Sequence, residues 1–312
     1  MPKNKIPAGR ERIGFIGLGA MGLPMAHNLL KAGFTVTGND TDSARMTAHR
    51  DHGGAVSPNA AEAARAADLI ITCLPSGKVV DRVVNGKEGV LEGCRPGQVL
   101  VDMTTNYPKD SASLAKILSE RGVDMLDAPI SGGDTGAVEG SLSIMVGGSR
   151  EAFERCLPAF NAMGRQVTLL GEAVGAGGHG KLANQIMVYV NLASVMEALT
   201  YAKQAGVDPE KLIPALEAGH ANSVLLNIKG RKALARDFSP VGPIWMAQKD
   251  LTYVVRAMEE MGFQLPFTPQ VHAMMTELVN RGREGEDQAA LIELFEEMTR
   301  SKDHPLLPKW TA

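Results

Sequence analysis

Cysteine is scarce in this chain of 312 residues, which has only Cys73, Cys94 and Cys156. An odd number without metal-ligand spacing points to reduced thiols in a cytosolic fold, and neither a metal site nor a catalytic cysteine is expected. An excess of one charge is missing too: 32 Lys plus Arg face 35 Asp plus Glu. That balance offers no reason to expect a nucleic acid or a membrane surface as partner and leaves a small ligand. The opening MPKNKIPAGRER is basic but leads into an apolar run only as long as a strand. Neither a signal peptide nor a spanning helix is therefore read there, and a cytoplasmic protein is expected. Repeats and low-complexity segments are also lacking. What is present, 44% hydrophobic and 21% charged residues, suits an ordinary soluble protein long enough for two domains.

Glycine and proline are missing from 182–203, although glycines crowd the preceding turn (GAGGHG, 175–180). The spacing predicts one long helix over about 178–205, apolar on nearly every face and hence buried, long enough to serve two domains. Lys181, Asn184 and Gln185 share one face of its first turn by i, i+3, i+4 spacing. A cation is opposed there by the helix dipole, so dipole and burial together should push the lysine toward its neutral form. His179 is the neighbouring group able to titrate in its place.

Upstream, the apolar run 12–16 enters Gly17-Leu18-Gly19-Ala20-Met21-Gly22, followed by a helix over 24–31 and a strand over 34–39 that ends at Asp40. Strand, GxGxxG turn, helix and a downstream acid together form a dinucleotide fingerprint. The glycines allow the bend, the approach of a pyrophosphate and close packing, and the acid accepts ribose hydroxyls. Asp40, followed by Thr41, favours NAD over NADP. Runs 68–74 and 98–102 read as buried parallel strands, with Thr105 placed after the second as a nicotinamide-side contact and Ser76 read as turn chemistry. The strand at 123–127 runs into Ser131, Gly132 and Gly133, whose backbone amides could cradle a carboxylate. Strands at 142–146 and 166–170, with a helix over 150–160, would close the sheet. The rest, 208–218, 223–234, 243–261, 268–281 and 288–299, reads as helix only. The expected fold is α/β: a Rossmann-like doubly wound sheet in domain 1–173, the long interdomain helix, and an all-α domain within 174–312.

Four segments, GFIGLGAMGLPMAHNLLKAG, DAPISGGDTGAVEGSLSIMVGG, GHGKLANQ and KDL, resemble the β-hydroxyacid dehydrogenases in the same order along nearly the whole chain. The chain is similar to the 3-hydroxyisobutyrate dehydrogenases and tartronate semialdehyde reductases of that family. The resemblance implies homodimers or homotetramers and assigns roles to matching positions. Gly17, Gly19 and Gly22, with Leu74, Pro75 and Thr105, would hold the cofactor, and Ser131, Gly132 and Gly133 the substrate carboxylate. Lys181 would be the catalytic lysine, Asn184 the substrate-orienting amide, and Lys249 a lysine closing over cofactor and substrate. Gln185 and Val79 stand where many or some members carry asparagine. Lys181 favours alcohol and aldehyde chemistry over imine reduction.

The expected activity is NAD-dependent interconversion of a short 3-hydroxy carboxylate and its semialdehyde. The alternatives are reduction of another small carbonyl or of an imine, and a cofactor-binding protein without turnover.

Overall fold

The structure is a computed structural model that describes residues 11–301 and 304–307. The chain forms two compact units, and the division falls between Lys181 and Leu182.

In the first unit nine strands make one sheet: β1 (Arg12–Ile16), β2 (Thr35–Asn39), β3 (Ala55–Val56), β4 (Leu69–Thr72), β5 (Val99–Asp102), β6 (Asp124–Asp127), β7 (Ile130–Ser131), β8 (Leu142–Gly147) and β9 (Gly164–Gly171). Their order is β3-β2-β1-β4-β5-β6-β8-β7, with β9 paired to β8. β1 to β6 are parallel, while β8 runs antiparallel to β6 and β7. The strand order reverses beside β1, the switch point where open α/β sheets bind ligands. Helices α1 (Gly22–Lys31), α2 (Ser43–Asp51), α3 (Ala60–Arg65), α4 (Gly77–Asn85), α5 (Val90–Gly93), α6 (Pro108–Ser119), α7 (Gly133–Glu139) and α8 (Arg150–Met163) connect the strands.

The sheet is buried on both faces, as unbroken apolar runs such as LIIT and VLVD require. Side chains alternate between two cores. Ile13, Phe15, Leu69, Ile71, Val99 and Val101 enter one with Met25 and Leu29 of α1, while Ile16, Ile70 and Leu100 enter the other with Val80 and Leu114.

The long helix α9 (Ala176–Gln204) runs on into the second unit, which adds α10 (Pro209–Glu217), α11 (Arg231–Leu234), α12 (Ile244–Glu260), α13 (Thr268–Asn280) and α14 (Leu291–Met298), with a π-helical turn over Leu226–Gly230. By length and composition α9 could cross a membrane. Its Leu192, Val195, Met196 and Leu199 instead fill the core of the helical unit, with Ile244, Leu251, Met275 and Leu291.

Three expectations change. The glycines 177, 178 and 180 lie inside α9 and not before it, so Lys181 stands in its second turn; a carboxylate supplied by the sheet holds the earlier start, as described below. The helix is not buried all round, for Met187 and Tyr201 are 76% and 74% exposed. The helix expected over 223–234 is interrupted by the π-helical turn over Leu226–Gly230 that precedes α11.

Candidate active site

The turn after β1 depends on two glycines for shape. Gly17 sits at φ 96°, where side chains are strained, and a Cβ there would collide with the Cys73 carbonyl; one at Gly22 would collide with the Gly17 carbonyl oxygen. A Cβ at Gly19 would meet nothing within 4 Å, so this glycine lines open space. No described side chain caps α1, which begins at Gly22 and leaves its first amides available to an anion. Asp40, at the end of β2, accepts from the Leu18 amide (2.6 Å) and the Asp42 amide (2.8 Å) and so holds the turn. Leu74 donates its amide to Thr104 Oγ1 (3.0 Å), which ties the ends of β4 and β5 together beside Pro75 and Thr105. An open glycine, an uncapped helix start and an acid at the next strand end fit a dinucleotide. Gly17 to Gly22, including Leu18, Ala20 and Met21, would hold its pyrophosphate and Asp40 its ribose.

Asp127, the last residue of β6, is 2% exposed and pairs in register with Asp102 of β5. Its Oδ1 accepts from the Gly175 amide (2.8 Å) and its Oδ2 from the Gly178 amide (2.6 Å). The sheet thus supplies the cap of α9. Gly177 and Gly147 permit the approach: a Cβ at Gly177 would collide with the Asp127 and Met145 carbonyls, and one at Gly147 with the Asp127 carboxylate. Burial pushes the Asp127 carboxyl up to about 7, against the pull of the two amides, and Asp102 adds to the rise. Burial likewise raises Asp102 to about 6. Lys181 follows on α9 and is only 7% exposed, whereas His179 is exposed. Ser131 ends β7, Gly132 precedes α7 at φ 140° and Gly133 begins it at φ 63°, with no described side chain capping that helix.

The helical unit contains a buried polar cluster. Gln185 Nε2 donates to Asp250 Oδ2 in a short hydrogen bond, and Tyr189 OH donates to the same oxygen at 3.1 Å. Asn184 Nδ2 donates to Gln185 Oε1 at 2.8 Å. Lys249 Nζ lies 3.2 Å from Asp250 Oδ1 as an ion pair. Asp250 is thus linked to Lys249 directly and to Asn184 through Gln185.

Asp127, Tyr189 and Asp250 were not singled out by sequence reasoning. Asp250 carries a readable signal, because it occupies a core position of the stripe Ala247, Leu251, Val254 on α12, all buried. A carboxylate at such a position needs buried partners. The three cysteines are free, and burial raises Cys73 and Cys156 to about 12, which removes thiolate chemistry from them.

Residues 12–171 match the family model of the NAD binding domain of 6-phosphogluconate dehydrogenase. Residues 175–295 match that of the NAD-binding domain of NADP-dependent 3-hydroxyisobutyrate dehydrogenase. The chain is 38% identical to 2-(hydroxymethyl)glutarate dehydrogenase of Eubacterium barkeri, covering 92% of this chain and 96% of the relative. It is 37% identical to 2-hydroxy-3-oxopropionate reductase of Escherichia coli K12, covering 93% and 99%. The crystal structure of 3-hydroxyisobutyrate dehydrogenase from Salmonella typhimurium superposes with a TM-score of 0.86 at 27% identity, covering 91% of this chain and all of that one. The glycine turn that leaves room for a dinucleotide, the helical unit that follows later in the sequence and full-length likeness to these enzymes converge: the chain belongs to the 3-hydroxyisobutyrate dehydrogenase-like hydroxyacid dehydrogenases, NAD(P)-dependent oxidoreductases.

Proposed function

We propose that this enzyme interconverts a short 3-hydroxy carboxylate and its semialdehyde, with NAD as the preferred cofactor. The observation that carries the reading is Lys181, a lysine 7% exposed on a helix whose start is fixed by a buried carboxylate. A long cationic side chain is rarely buried without a task. The cofactor, when bound, supplies or accepts the hydride. Lys181 takes the hydroxyl proton in oxidation and returns it to the carbonyl oxygen in reduction. Asn184 orients the reacting group, and the amides at Ser131, Gly132 and Gly133 receive the substrate carboxylate. Lys249, Leu74, Pro75 and Thr105 serve cofactor and substrate binding. We place the two functional parts at 1–173 and 174–312 and the enzyme in the cytoplasm, which its free cysteines support. It acts as a homodimer or homotetramer, a reading supported by exposed Met187, Tyr201, Val224 and Phe267 on the helical unit.

NADH absorbance with a panel of 3-hydroxy acids tests the activity, with the amide of each active acid as the uncharged control. Lys181→Ala should lower kcat by roughly 10²- to 10⁴-fold while NADH binding persists. Lys181→Arg should not restore it, since a guanidinium keeps its proton. Near-normal kcat in Lys181→Ala, with turnover lost in His179→Ala, would move the proton transfer to the histidine.

A further inference from the structure

Asp250 is 2% exposed, and its carboxylate faces donors from several side chains. A carboxylate accepts and cannot donate, so the chemistry of its neighbours is dictated. Gln185 must aim its NH₂ group at Asp250 Oδ2, and the same nitrogen lies 3.2 Å from Tyr189 OH. Tyr189 keeps its proton, because burial and the neighbouring Asp250 raise its phenol well above the ordinary value, and it too donates to Oδ2. With its NH₂ so committed, Gln185 presents only its carbonyl oxygen on the other side, where Asn184 Nδ2 donates at 2.8 Å. An amide flip at either residue would set donor against donor or acceptor against acceptor.

We infer that Asp250 is a positioning residue for the reaction: through Gln185 it fixes the direction of the Asn184 amide, which turns its acceptor Oδ1 to the substrate hydroxyl. The inference rests on the reading of Asn184 as the substrate-orienting group. Asn184 is only half-buried, so its outer side can reach a ligand, whereas Gln185, Tyr189 and Asp250 are buried. Two amides in series carry the polarity of one carboxylate outward. The hydroxyl, itself a donor, then meets an acceptor in a fixed orientation. A cluster with an amide in place of the carboxylate would join α9 to α12 equally well with both amides reversed. Only the acceptor-only group at the inner end selects one direction.

A carboxylate swap tests this. Asp250→Asn can pair with Gln185 in either sense, so kcat/KM for the hydroxy acid should fall about 10- to 100-fold, with NADH affinity unchanged. Gln185→Glu alone sets two carboxylates together and should also fail. In the double variant Gln185→Glu/Asp250→Asn the new carboxylate accepts from both neighbours. The direction of Asn184 is restored, and kcat/KM should return to within about tenfold of the original. On an Asn184→Ala background, Asp250→Asn should cost nothing further. Equal losses with and without Asn184, or a well-folded double variant no better than its parents, overturn the inference alone. Asn184→Ala with unaltered kcat/KM overturns it together with the role proposed for Asn184. If thermal melts show the swap to be misfolded, the cycle of Asn184→Ala with Gln185→Met decides: non-additive losses support the inference and additive losses end it.

Discussion

Two carboxylates are each expected to set a property of the whole enzyme. Asp40 would repel the extra phosphate of NADP, and Arg45, the nearby cation able to welcome it, is drawn to Asp42 at 3.9 Å. We expect kcat/KM to favour NAD by about tenfold or more, the worth of roughly 1.4 kcal/mol of repulsion. Asp40→Ala should narrow that ratio while raising KM for both cofactors, because it also releases the Leu18 amide; an NADP preference in the unmodified enzyme refutes the assignment. Asp127 governs a response to pH. Its carboxyl binds a proton more tightly in the folded chain, at about 7, than at its ordinary 3.8. Its contribution is therefore full below about pH 4 and declines as pH rises toward 7, by up to about 1.4 kcal/mol per pH unit. Asp127→Asn cannot ionise and should flatten this limb in urea melts between pH 4.5 and 7.5. It should also cost about 1 to 3 kcal/mol at low pH if one of the two α9 amides loses its acceptor. Identical slopes for variant and parent would show that Asp127 does not titrate there.

At the level of elements, α1 and α2 meet through stacked imidazoles. The His27 ring lies 3.8 Å from that of His52 and 5.9 Å from that of His49, with interplanar angles of 15° and 7°. Burial, then His52, His49 and Lys31, lower His27 from 6.5 to about 4. The sign is opposite to that of Asp127: this stability is complete above about pH 6.5 and is lost as pH falls toward 4, when the unfolded chain takes up the proton more readily. His27→Phe keeps an aromatic ring in the stack without a titratable nitrogen. Its melting temperature should fall less than the parent's between pH 7 and pH 5, and an equal fall would remove His27 from the account. These opposing limbs come from different layers of the same unit and should be separable by the two variants.

For the whole molecule, the exposed apolar side chains of the helical unit lead us to expect a dimer or tetramer in sedimentation velocity at micromolar concentration, and a monomer there would refute it. The sheet was legible because its strands are short apolar runs at regular spacing, and the nucleotide turn because three glycines and an acid need each other at set distances. Lys181 was legible as a cation in an apolar helix. The polar cluster around Asp250 was not, since Gln185 and Asp250 stand 65 positions apart and only the packing of α9 against α12 makes them neighbours. The cap of α9 was missed for the same reason, 48 residues separating Asp127 from Gly175. That cap has a kinetic consequence. Gly177, Gly178 and Gly180 each lower local helix propensity by about 1 kcal/mol relative to alanine, so the first turns of α9 are a poor nucleus in isolation. They are expected to form only once β6 has paired and delivered Asp127, which would make the segment leading to Lys181 a late product of folding, assembled on a sheet already in place.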